Sequence, residues 1–191
     1  MRAFIAITLP QETKTALAAA VKRLAPSAVD VAWCNADKLH ITLAFLGEIA
    51  PSILPHLSVG LTRVCQALPP VPCRAYGFGF FGNRRNPKVI WAGVDMTPQM
   101  DTLHSALWQE LKRFGFSTDE DRFRPHISLG RCKERARNQP LTDAMDADTE
   151  FDFGKWTASS ITLYESRPAP KGTLYLTLNK FTLGEKGKGT P

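Results

Sequence analysis

Two short runs carry the residues that could do chemistry: Leu39-His40-Ile41-Thr42-Leu43-Ala44-Phe45-Leu46-Gly47 and Pro125-His126-Ile127-Ser128-Leu129-Gly130-Arg131. Each reads as a strand with a histidine followed, two places later, by a hydroxyl residue. Side chains two apart on a strand point the same way. His40 and Thr42 therefore share one face, and Leu39, Ile41, Leu43 and Phe45 share the other. His126 and Ser128 share a face opposite Ile127 and Leu129. With its apolar side buried, each strand offers an imidazole beside an alcohol. An unperturbed imidazole titrates near pH ~6.5, so two of them can divide acid and base roles at neutral pH. Two hydroxyls can donate hydrogen bonds to phosphoryl oxygens. The chemistry that fits is attack on a phosphodiester. One histidine takes a proton from the nucleophile, the other protonates the leaving oxygen, and no metal or cofactor is called for.

The elements that must position these strands follow from periodicity. Ala3 to Leu9 reads as a buried strand, and Pro10 ends it. Gln11 to Ala25 carries a helical stripe at Leu17, Ala20, Val21 and Leu24. Val29 to Cys34 alternates like a short strand. A second helix opens near Gly47–Pro51, with Pro51 in its first turn, and stops at Pro69-Pro70-Val71-Pro72. Cys73–Phe81 and Val89–Val94 read as a hairpin with a basic tip at Arg84 and Arg85. A third helix is bounded by Thr97 as cap, Pro98 at the first helical position and Gly115 at its end. The second histidine strand spans about Phe123–Gly130. Cys132–Asp148 reads as loop with a little helix. Phe151–Tyr164 and Thr173–Leu183 read as two strands joined at Pro168–Gly172. Gly184–Pro191 reads as a flexible tail beyond a domain of residues 1–183. Each half of the chain holds strands, a helix and one histidine strand, which suggests two α+β lobes facing each other.

Bulk properties bound the rest. The chain has 191 residues, 43% of them apolar, enough for one sizeable core. A net charge of +6 favours an anionic partner without requiring one. Cys34, Cys65, Cys73 and Cys132 form no C-x-x-C pair and read as free thiols in a reducing cytoplasm. The apolar run at the N-terminus is too short for a signal peptide or membrane span.

The paired motifs resemble the H-x-T/S signatures of the two-histidine phosphoesterases. The surroundings, Leu39–Gly47, Phe123–Leu129 and Phe4-Ile5-Ala6-Ile7, with Glu165-Ser166 before the Gly172–Tyr175 turn, are similar to bacterial RNA 2',3'-cyclic phosphodiesterases, also called 2'-5' RNA ligase-like proteins. The resemblance runs from about Arg2 to Leu183. It implies a bilobal α+β fold: two antiparallel-sheet lobes, helices on their outer faces and a central active-site cleft. It implies hydrolysis of RNA 2',3'-cyclic phosphate ends, tRNA fragments among the candidates, to 2'-phosphates, and in some members a reversible 2'-5' ligation. Carried over, His40 is the proton donor to the departing 3' oxygen and His126 the base that activates water. Thr42 and Ser128 hold the phosphate. The expectation is a cytoplasmic monomer. The alternative is a protein that binds cyclic or 2'-phosphorylated RNA ends without turnover; a third reading is a related enzyme acting on a small cyclic nucleotide.

Other residues divide between plain and functional readings. Arg84, Arg85 and Lys88 could be a solvated turn or a phosphate contact. Arg122 and Arg124 flank Phe123. By alternation Arg124 shares the histidine face and Phe123 leans toward the core, while Arg131 alternates away from His126 if the strand continues past Gly130. His56 and His104 read as surface or boundary positions on helices, not as ligands of a metal site.

Overall fold

The computed structural model describes residues 1–118, 123–134, 137–148, 151–170 and 172–184. In chain order the elements are β1 (Arg2–Thr8), α1 (Gln11–Leu24), β2 (Val31–Trp33), β3 (His40–Glu48), α2 (Leu54–Gln66), β4 (Val71–Gly82), β5 (Pro87–Val94), α3 (Pro98–Arg113), β6 (His126–Cys132), α4 (Gln139–Ala147), β7 (Asp152–Ala158), β8 (Ser160–Ala169) and β9 (Gly172–Thr182). The helix signals act as expected. Thr97 accepts the Met100 N–H at 3.2 Å, Pro98 opens α3, and Gly115 closes it at φ +82°, a conformation open to glycine. Pro51 instead opens a 3-10 turn, Pro51–Ile53, that leads into α2. β6 begins at His126 rather than Phe123, because Pro125 has no N–H to give a neighbouring strand.

The strands form one antiparallel sheet in the order β7-β4-β5-β6-β3-β1-β8-β9, with β2 on β6. The two expected lobes are its two halves, β9-β8-β1-β3 and β6-β5-β4-β7. Their seam is a single backbone pair, Ile41 opposite Ile127. The halves of the sheet are not the halves of the sequence. β8 and β9 return to lie beside β1, and α1, which follows β1, packs on β7 in the other half.

Phe151–Tyr164 is two strands and not the one that its pattern suggests. Ser159 alone separates β7, at one sheet edge, from β8, which lies between β1 and β9. A one-residue passage between strands so far apart in the order requires a curled sheet whose ends approach one another, and the sheet is curled. No glycine or proline stands at the switch, Ala158-Ser159-Ser160, to mark it as a turn.

The helices cover the apolar face. Ile5, Ile7, Ile41, Ile90 and Ile127 from five strand positions are fully buried there with Leu17, Leu57, Leu61, Leu103 and Leu107 from the helices. α2 and α3 are locked by a buried carboxylate. Glu110 accepts from Arg63 at 2.7 Å in the space that Gly60, having no Cβ, leaves beside it.

Because Ile127 is wholly buried at the seam, Ile127→Ala should lower unfolding stability by about 2–4 kcal/mol. Urea denaturation checks this; a loss below about 1 kcal/mol would mean that the seam is not close-packed.

Candidate active site

Burial of the seam isoleucines decides where the polar residues go. Neighbours along a strand point to opposite faces, so His40 and Thr42 flank Ile41 on the uncovered face, and His126 and Ser128 flank Ile127 there too. In antiparallel register the step beyond the isoleucine pair sets His40 across from Ser128, and Thr42 across from His126. All four are partly exposed, in contrast to Ile41 and Ile127. The two sequence motifs thus meet on one face.

The two imidazoles are held alike. His40 Nδ1 lies 2.7 Å from the Lys38 carbonyl, and His126 Nδ1 lies 2.8 Å from the Arg124 carbonyl. A carbonyl only accepts, so each Nδ1 carries the hydrogen and each Nε2 is left for other work. Each ring also sits between two aromatic neighbours. Phe4 and Tyr175 lie 5.0 and 5.5 Å from His40; Phe81 and Trp91 lie 5.0 and 6.1 Å from His126. Trp91 pairs with both Gly79 and Ser128, and a Cβ at Gly79 would overlap the indole.

Burial pushes the His40 imidazole below its usual value. The Lys38 carbonyl opposes that shift, and the charges of His126 and Lys14 add to it.

Two residues beyond the motifs stand where simple alternation did not put them. β3 carries an extra residue at Leu43, since Ala6 pairs with Thr42 but Ile5 pairs with Ala44. β6 carries one at Leu129, since Trp91 pairs with Ser128 but Ile90 pairs with Gly130. Such bulges shift the alternation by one. Phe45, expected in the core, is instead 64% exposed on the histidine face. Arg131, expected to face away, pairs with Val89 on the histidine side of β6. It has no ion-pair partner among the described residues, and its charge bears on Tyr175 and Cys34.

The remaining candidates fall as follows. Arg124 is exposed and precedes β6, so strand alternation does not place it; its carbonyl orients His126. Arg122 lies outside the described residues. Arg84 is engaged by Asp143, at 2.8 Å, and by Asp146, and so ties the β4–β5 hairpin to α4. Lys88 is exposed. His56 is exposed on α2 and His104 is half-buried on α3, as expected of surface and boundary positions, with the His104 ring stacked on Phe123. All four cysteines are free. No helix among the described residues is long and apolar enough to cross a membrane.

The family model of the 2'-5' RNA ligase superfamily matches residues 11–169. The chain belongs to this superfamily. It is 30% identical over 178 residues to an RNA 2',3'-cyclic phosphodiesterase of Thermotoga maritima, covering 93% of each chain. It is 31% identical to the protein of that name from Thermus thermophilus, with 98% of this chain and 93% of the relative covered. Among solved structures, TT0787 of Thermus thermophilus superposes with a TM-score of 0.83 at 28% identity, covering 98% of this chain and all of that one. E. coli LigT complexed with 3'-AMP superposes at 0.75 and 26% identity, covering 95% of this chain and 97% of LigT. Superfamily membership agrees with the α+β fold and the paired motifs.

The lowered His40 value has a consequence for stability. The unfolded chain binds its proton at pH ~6.5 and the folded chain only at lower pH. Stability supplied by neutral His40 is therefore complete above pH ~6.5 and is lost as pH falls through the interval between the two values. An NMR titration of the free protein should place the His40 midpoint below ~6.5, and added inorganic phosphate should move it up. A midpoint at or above the unfolded value would contradict the burial argument.

Proposed function

We propose that this chain hydrolyses RNA 2',3'-cyclic phosphate ends to 2'-phosphates by acid–base catalysis between His40 and His126. The observation that carries the reading is the pair of imidazoles with Nδ1 anchored alike, on one face, each beside a hydroxyl and across one buried isoleucine pair. His126 Nε2 takes a proton from water as its oxygen attacks phosphorus. The bond from phosphorus to the 3' oxygen breaks, and protonated His40 gives its Nε2 proton to that oxygen. Thr42 and Ser128 donate hydrogen bonds to the non-bridging oxygens. Arg131, and Arg124 at the rim, supply positive charge toward the RNA.

The charge environment supports this order of events. In the free protein His40 favours its neutral form, because burial and nearby cations both oppose protonation. A phosphodiester anion beside it opposes that shift and favours imidazolium. Substrate entry thus favours the charged form of the proposed acid.

A 5' hydroxyl in place of water would give a 2'-5' linkage through the same proton transfers, so reversible ligation follows from the same groups. One chain supplies both histidines, and we assign a monomer. Fragments of tRNA are suitable substrates because any cyclic end presents the same phosphorus. The free thiols fit a reducing cytoplasm, the compartment we assign.

His40→Ala and His126→Ala should each lower kcat by ~10²–10⁴, measured by chromatography of 2',3'-cyclic AMP with EDTA present. Wild-type protein that binds the nucleotide without turnover would favour the non-catalytic binder. Undiminished hydrolysis in both variants would refute the assignment. Comparison with an oligonucleotide bearing a cyclic end separates an RNA enzyme from one specific for mononucleotides.

A further inference from the structure

The two imidazoles make the same demand, a carbonyl two residues back that receives Nδ1–H, but the two carbonyls are secured differently. Lys38 ends the 3-10 turn Ala36–Lys38, which Asn35 caps by accepting the Asp37 N–H at 3.0 Å. Lys38 Nζ donates to the Thr173 carbonyl at 2.6 Å, and Lys14 Nζ to the Asp37 carbonyl at 3.2 Å. The His40 holder is thus tied down locally on several sides. Among the described residues no such turn leads to Arg124. It lies at the end of the connection from α3 to β6, where the described residues form no helix or strand. The Val94 N–H reaches the Pro125 carbonyl at 3.2 Å. The other anchor is a side chain.

That anchor is Phe123. Its ring lies flat on His104 of α3, with centroids 3.8 Å apart and planes within 3°. His104 is itself fixed. Trp108, one helical turn on, donates its Nε1–H to His104 Nε2 at 2.9 Å. Accepting at Nε2 requires a neutral imidazole with hydrogen on Nδ1. Burial, which lowers the His104 value, favours that form. A histidine does here what neither an aliphatic nor an amide residue could do alone: it offers a flat ring to Phe123 and an acceptor to Trp108.

We propose that His104 is a positioning residue for His126: by clamping Phe123 onto α3, it fixes the Arg124 carbonyl that orients the His126 imidazole and aims Nε2 into the cleft. The kinetic part rests on the reading of His126 as the base. The orientation of the ring does not.

The test reads the tautomers directly. Long-range ¹H–¹⁵N correlation spectra of the wild-type protein, with no substrate and above the histidine titrations, should show His40 and His126 both protonated at Nδ1. In His104→Ala, His126 should become a mixture of tautomers while His40 keeps its spectrum. kcat for 2',3'-cyclic AMP should fall by roughly 10-fold to 10²-fold, the usual effect of a slightly misplaced catalytic group, with KM largely kept. His104→Phe, which retains a flat ring against Phe123, should recover most of both. If His104→Ala does not fold, the contrast between His104→Phe and His104→Gln separates the same two outcomes, since Gln keeps an acceptor and loses the ring. Wild-type tautomers and kcat in His104→Ala would overturn the proposal. So would equal disturbance of His40 and His126, which marks general loosening. Absence of turnover in the wild-type protein would remove the functional reading, yet the spectra would still decide whether the clamp exists.

Discussion

The site depends on one strand pair. Ile41 and Ile127 face each other across the middle of the sheet and are wholly buried, and they form the only backbone bridge between β3 and β6 among the described residues. Each strand otherwise has partners of its own, β3 with β1 along its length and β6 with β5 on one side and β2 beyond the seam on the other. The two halves are therefore stiff and the seam between them is narrow. Because adjacent side chains in a strand must alternate, burying these two isoleucines leaves their four neighbours no choice of side. A one-residue slip on either strand would send its histidine and hydroxyl into the core and bring out an isoleucine. The hydrophobic effect thus fixes the register, and the register assembles the polar constellation.

The halves also share their irregularities. Each histidine strand carries an extra residue three places after the histidine, at Leu43 and at Leu129, and β3 has a second at Leu46. Each histidine bonds a carbonyl two places before it. The backbone around the seam is close to a two-fold arrangement, whereas the side chains are not. Phe45 on one strand corresponds to Arg131 on the other, and both rise onto the histidine face for the same reason. An anion between the imidazoles therefore meets a symmetric set of proton-transfer groups within an asymmetric surround.

Much of this was legible in the sequence, because the two motifs combine period-two alternation with strand-like composition, and alternation is a local property. The boundaries of α3 were legible for a similar reason, since Thr97, Pro98 and Gly115 are chemical signals at fixed offsets. What failed to show involved long-range pairing. Bulges at Leu43 and Leu129 are set by the partner strand, so alternation carried past them misplaced Phe45 and Arg131. The switch at Ser159 depends on which edges await β7 and β8, and neither edge is written in residues 151–164. Arg84 had ambiguous surroundings until α4 brought Asp143 and Asp146 to it. His104 looked like a boundary residue on its helix because its partner, Phe123, lies beyond the end of that helix.

The proposed division of labour between the histidines is not set by how they are held. Anchoring through Nδ1 gives both rings the same free atom and the same two options, to accept a proton there or to give one up. Geometry alone would allow either assignment. His40 is the ring pressed upon by burial, by Lys14 and by the charge of His126, so in the free protein it resists protonation. That resistance is electrostatic, and a phosphodiester brings the opposite charge to the place where it acts. A ring made reluctant by desolvation also parts with its proton readily once the negative charge moves from phosphoryl oxygen to the leaving oxygen beside it. In the proposed reaction, the same burial that opposes protonation in the free protein suits His40 to donate once substrate is bound. It is supplied by Phe4 and Tyr175, neighbours that the strand order brings to His40 through β1 and β9.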